Sequence, residues 1–151
     1  EIDLIKIAAL YHDAGFILGR ERHEDKSCEL AKKQLPEFNY SDEQIKLICG
    51  MINATRIPQI TNNIYEDIIA DADLFYLGTE DYDYYSDKLY KELKYSQPEL
   101  TEKEWIKIQL DFLKAHKFHT KYAIKILDPI KHKHLNKLLD TWDTLNRNIS
   151  K

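Results

Sequence analysis

Glycine and proline are scarce, four of each in 151 residues, and they fall between apolar segments rather than within them. Helix is therefore the main element expected. Cysteine is scarcer still. Cys28 and Cys49 show no CxxC spacing and have no histidine pair near them, which argues against a disulfide scaffold and for free thiols in a reducing compartment. No apolar run approaches the roughly 20 residues that a membrane span needs, and nothing resembles a signal peptide, so the expected setting is cytoplasmic, with no membrane contact from this segment. An excess of basic charge is absent too. The net charge of −4, from 22 Lys and Arg against 26 Asp and Glu, argues against a long nucleic-acid partner. It leaves room for a small phosphorylated ligand at a local positive site.

What remains is an ordinary globular composition, 43% hydrophobic and 32% charged, long enough for one domain with a sizeable core. Residues 2–12 (IDLIKIAALYH) are apolar on nearly every face and read as a central helix, with Gly15 expected as a left-handed cap. Residues 16–22 read as a loop. A second helix is expected from near Glu24 to Leu35, stopped by Pro36. Ser41 and Gln44 form a capping box for a third, whose apolar face is Ile45, Ile48, Cys49 and Ile52. Residues 64–77 form another helix apolar on most faces, closed by Gly78. The Tyr-rich segment 80–87 leads into a helix carrying Leu89 and Leu93. Thr101 and Glu104 cap the longest helix, with Trp105, Ile108, Phe112 and Leu113 inward and Pro129 ending or kinking it. A last amphipathic helix uses Leu135, Leu138, Leu139, Trp142, Leu145 and Ile149. No strand pattern beats its helical competitor, and the class expected is all-α.

The two helices apolar on most faces also carry carboxylates. His12 and Asp13 close the first, and Asp71 and Asp73 sit inside the second. A buried carboxylate costs several kcal/mol unless it is paired or bound to a metal, and a mixed nitrogen and oxygen set suits Mn, Mg, Fe, Co, Ni or Zn. At about 100° per residue, Asp71 and Asp73 point roughly 200° apart. Only one of them can reach a shared ion from a regular helix. Without a metal, one aspartate would cap a neighbouring helix and the other would pair with a lysine or arginine.

In "LIKIAALYHDAGF", "HEDKSCELAKKQL", "ICGMINAT" and "DADLFYLG", between residue 4 and about residue 93, the chain resembles the HD superfamily of metal-dependent phosphohydrolases. The resemblance implies an HD-type helical bundle spanning the whole chain as a single domain, with its core over about 1–95 and extra C-terminal helices over about 100–150. It implies one divalent metal ion held by His12, Asp13 and Asp73, with Asp71 beside the ligands rather than among them. His23 resembles the histidine that opens the following helix, and Asn53, Ala54 and Thr55 stand where two-metal members carry further histidines. The family's first histidine lies a helix earlier, before Glu1. The chain opens in mid-pattern without a methionine and so reads as part of something longer, with apolar surface expected around Ile5, Ala9 and residues 64–77 for a second copy or parent-protein domains to cover.

The function implied is hydrolysis of a phosphoester in a nucleotide or small phosphorylated metabolite, with Asp13 and His23 as the catalytic groups. Arg20, Arg22, Lys26 and Arg56 flank the motifs as candidate phosphate contacts, or as solvated loop charges. The alternative is a catalytically inactive HD domain that regulates or dimerises a signalling protein. Elsewhere, His116 and His119 share a helix face at i and i+3, a ligand spacing to which no carboxylate motif points and so read as packing or exposed, and "KHKH" around His132 and His134 reads as a solvated basic turn. Tyr82, Tyr84 and Tyr85 read as amphipathic packing, with stacking of one on a nucleobase as the alternative.

Overall fold

Several helices begin where a short polar side chain accepts a backbone N–H. Ser41, Asn63, Thr101 and Thr120 each cap the helix that follows, and Ser41 with Gln44 and Thr101 with Glu104 form complete capping boxes. Such caps satisfy donors that the first turn would leave orphaned. The computed structural model describes residues 1–149, with side chains through 147. Among these residues the chain is all-α, with no strands: α1 (Ile2–Tyr11), α2 (His23–Gln34), α3 (Asp42–Ala54), α4 (Ile64–Asp73), α5 (Tyr82–Ser96), α6 (Glu102–Ala115), α7 (Lys121–Ile126) and α8 (Asp128–Ile149), with 3₁₀ turns at Ala14–Leu18, Leu35–Phe38 and Phe75–Gly78. The chain divides into two compact units, Glu1–Leu74 and the segment from Phe75 onward. The division falls before α5.

In the first unit α3 supplies the centre. Ile45, Ile48, Cys49 and Ile52 are all buried as their spacing predicts, joined by Met51 and Ala54. Cys28, Ala31 and Leu35 from the α2 side, Ile69 from α4 and Ala8 from α1 complete the core. Helix α1 is not the central helix expected. Ala8 alone is fully buried, Leu4, Ile5, Ile7 and Tyr11 pack partly against the core, and Ile2 and Leu10 are 70% and 74% exposed. Its hydrophobic residues surround the helix, but within this unit only one side finds partners on α2, α3 and α4. Helix α4 behaves likewise, with Ile69 and Ala70 buried and Ile64 and Ile68 exposed. It ends at Asp73, short of the expected residue 77, and Phe75–Gly78 tightens into a 3₁₀ turn.

The second unit corrects two further expectations. The helix begun at Thr101 stops at Ala115; a separate α7 follows, and Pro129 stands at the start of α8, where its missing N–H costs nothing. On α6 the buried positions are Trp105, Gln109, Leu110 and Leu113, whereas Ile108 is 45% exposed. The polar Gln109 is buried because its side-chain oxygen accepts from the hydroxyls of Tyr82 and Ser86. On α8, Leu135, Leu138, Leu139, Trp142 and Leu145 are half-buried; the side chain of Ile149 lies outside the described residues.

Candidate functional site

The His12–Asp13 doublet sits in a turn built to close tolerances. Helix α1 ends at Tyr11, and Ala14–Leu18 turns the chain back toward α2. Ser27, fully buried on α2, holds this turn by two bonds. Its hydroxyl donates to the His12 carbonyl at 2.8 Å and accepts the Gly15 N–H at 2.8 Å. Gly15 is needed for closeness, not for a left-handed cap. A Cβ there would lie 2.0 Å from the His23 carbonyl oxygen and 2.7 Å from the Ser27 nitrogen. The left-handed glycine is Gly19, at φ +116°, and its carbonyl accepts from Lys26 Nζ at 3.1 Å.

His12 is fixed at both ring nitrogens. Nδ1–H donates to the Ala9 carbonyl at 2.7 Å. That leaves Nε2 facing Asp13 Oδ2 at 3.3 Å and Asp73 Oδ1 at 3.4 Å. A neutral imidazole in this tautomer would aim a lone pair at two carboxylates, an arrangement that is repulsive unless something positive stands between them. In the chain alone the positive species is a proton. The Asp73 carboxylate, with help from the Ala9 carbonyl and Asp13 and against the cost of burial, raises the His12 pKa to about 9.

A second histidine leans on the same aspartate. His23, the first residue of α2, places Nε2 3.3 Å from Asp13 Oδ1 and 3.6 Å from Glu24 Oε1, and its ring stacks on Phe16 with centroids 4.0 Å apart. Glu24 is buried and in turn meets Arg56 Nε at 3.4 Å. Arg56 also binds Asp25 Oδ1 at 2.6 Å, while Arg22 binds Asp25 Oδ2 at 2.7 Å. The two guanidiniums, Arg56 first, hold the Asp25 carboxyl below its usual range. Arg22 itself occupies the left-handed region, φ +53°, at the N-cap of α2. Phe16, Glu24, Asp25 and Ser27 are partners that the sequence reading did not single out; acids in a first turn read simply as partners of the helix dipole.

The site residues expected from sequence thus divide. His12, Asp13, His23 and Asp73 come together. Asp71 is buried, 5% exposed; of the two aspartates near the end of α4, Asp71 and Asp73, it is Asp73 that reaches His12. Arg22 and Arg56 are engaged by carboxylates, Lys26 ties down the loop before α2, and Arg20 is exposed in that loop. The donors stand in pairs: among the described residues, no group of three or more His, Cys, Asp and Glu side chains is arranged to hold a metal ion. Their chemistry nonetheless fits a cation. A nitrogen and an oxygen each about 2.1 Å from one ion, at an angle between octahedral and tetrahedral, stand roughly 3.0–3.4 Å apart. A ligating histidine also ordinarily donates its other N–H to a carbonyl, as His12 does.

Of the later histidines, His116 and His134 pack against aromatic rings. His116 caps the end of α6 and His119 lies in the loop after it, so the two do not share a helix face. "KHKH" is part of α8 rather than a turn, with His132 and Lys133 exposed and Lys131 and His134 turned inward. Lys131 is 3% exposed, donating to the His116 carbonyl and pairing with Asp128, and His134 stacks on the buried ring of Tyr82. Among the described residues no helix is long and apolar enough to cross a membrane. Comparison with protein-family models, with curated proteins and with solved structures finds no match to this chain.

Proposed function

We propose that the chain is an HD-type helical domain that hydrolyses a phosphoester with a divalent metal ion held by His12, Asp13 and Asp73. The observation that carries this reading is the position of His12 Nε2, turned by the Ala9 carbonyl toward two carboxylate oxygens. When bound, the ion would supply Lewis-acid polarisation of a phosphoryl oxygen and acidify a water. Asp13 is more than half exposed and shared between His12 and His23; it is the carboxylate placed to take a proton from an attacking water. His23, kept in orientation by Phe16 and Asp13, can hold or return a proton at Nε2. Arg20 and Arg22 are exposed beside the doublet for phosphate oxygens, and Arg22, Lys26 and Arg56 could serve them if their present partners Asp25, Gly19 and Glu24 yield. The substrate class is a nucleotide or small phosphorylated metabolite, and the setting is the cytoplasm.

The test is hydrolysis of p-nitrophenyl phosphate and a nucleotide panel with Mn²⁺, Co²⁺ or Ni²⁺. Cleavage that a chelator abolishes supports the reading; full activity in chelator contradicts it. A second reading is a catalytically silent HD domain that regulates or dimerises a signalling protein. It is favoured by the pairing of the donors and by the carboxylates already engaging Arg22 and Arg56, together with exposed Ile2, Leu10, Ile17 and Leu18. Dimerisation in light scattering, with no hydrolysis under any metal, would select it.

A further inference from the structure

Cys28 on α2 and Cys49 on α3 are both free and buried, 5% and 7% exposed. They face one another across the helix crossing. The Cys28 thiol lies 3.6 Å from the Cys49 carbonyl oxygen, and the Cys49 thiol 3.8 Å from the Cys28 carbonyl oxygen. Reciprocal contacts of this kind require the two residues to stand directly opposite each other, as the close backbone approach of a disulfide also requires. The neighbouring Cys28 thiol, with the charge of Lys32, lowers the Cys49 thiol to about 7, while proximity to Cys49 and burial push Cys28 up.

We propose that Cys28 and Cys49 form a modification site, a dithiol that hydrogen peroxide converts to a disulfide between α2 and α3. Their near-complete burial selects a small oxidant over a bulky disulfide. The Cys49 thiolate attacks one peroxide oxygen; an S–O bond forms, the O–O bond breaks, and the departing hydroxide is protonated to water. Cys28 sulfur then attacks the Cys49 sulfenic acid. An S–S bond forms, the S–O bond breaks, and the oxygen leaves as a second water carrying the Cys28 proton. Two thiols and one peroxide give one disulfide and two waters. The sulfurs together lose two electrons, which the peroxide accepts.

The bond would fall at a strategic place. Cys28 is one helical turn after Glu24, and Cys49 is one turn before Asn53. Arg56, just beyond α3, already joins Glu24 and Asp25 across the same pair of helices. Oxidation would therefore clamp α2 to α3 about one turn from the Glu24–Arg56 contact. The inference stands on the core contacts of the two cysteines and does not depend on the phosphohydrolase reading.

The experiment exposes the native chain to hydrogen peroxide, quenches it, alkylates it in denaturant and measures intact mass and linked peptides. The expected result is a monomer lighter by about 2 Da than the reduced protein, with neither thiol alkylatable, a peptide joining Cys28 to Cys49, and reversal by dithiothreitol. Its melting temperature should rise by several degrees, because the closed loop constrains the unfolded chain. Cys28→Ser should give no linked peptide. Two alkylatable thiols left after a treatment that oxidises a free cysteine peptide in the same tube would overturn the proposal. So would disulfides found only between chains, or sulfinic acid without any Cys28–Cys49 link.

Discussion

At the scale of the residue, His12 is where local geometry and electrostatics meet. Its Nδ1–H is committed to Ala9, so whatever sits at Nε2 must be positive to satisfy Asp13 and Asp73. In chelated protein, the His12 ring resonances should titrate near pH 9. Asp73→Asn, which removes the largest cause of the raise, should bring the midpoint back toward 6.5. An unchanged midpoint in that variant would mean that Asp73 is not the controlling partner. His12, Asp13 and the pair Asp71 and Asp73 stand out in sequence as polar groups inside apolar helices, and the choice of Asp73 over Asp71 rests on the family resemblance. Glu24 and Asp25 do not stand out, and Arg56 reads as a phosphate contact rather than as their partner. An ion pair between residues 25 and 56 leaves no periodic trace, and each member alone looks like a solvated charge.

At the scale of the element, caps and spacing were readable and environment was not. The two capping boxes start α3 and α6 where local chemistry says they should, since the bonds involved span only three residues. The buried face of α3 follows for the same reason of period. The exposure of α1 and the rotated face of α6 depend on which neighbours each helix has, which spacing within the helix does not encode. Gly15 shows the same limit. Its role is to let the His12–Asp13 turn touch the backbone of α2, a contact between residues 15 and 23 that sequence alone renders as a cap. Gly15→Ala should therefore destabilise the protein by about 3 kcal/mol in urea unfolding, because the added methyl meets backbone that cannot rotate away. A variant as stable as the parent would mean the turn is looser than its contacts imply.

At the scale of the whole molecule, all-α class was readable from the scarcity of glycine and proline, whereas the division before Phe75 was not. No composition shift or linker marks it; the chain passes through a 3₁₀ turn of ordinary apolar residues. Global stability should carry the signature of His12. Its folded pKa of about 9 lies above the ordinary 6.5, so the protonated ring's contribution is complete below about pH 6.5 and is lost as pH rises through 9. Urea midpoints of metal-free protein should fall across that window, with a shallower fall in Asp73→Asn. Parallel curves for the two proteins would remove His12 as the cause.

The most direct test of the account is a titration of the metal-free native chain with Mn²⁺, followed by calorimetry at pH 7.5 and repeated for Asp73→Ala and Asp71→Asn, with helicity checked by circular dichroism. The account predicts about one ion bound per chain, with proton release as the ion displaces the His12 proton. Binding should be lost in folded Asp73→Ala and kept in folded Asp71→Asn. Absence of binding by the parent chain, or equal binding by parent and Asp73→Ala, would contradict it.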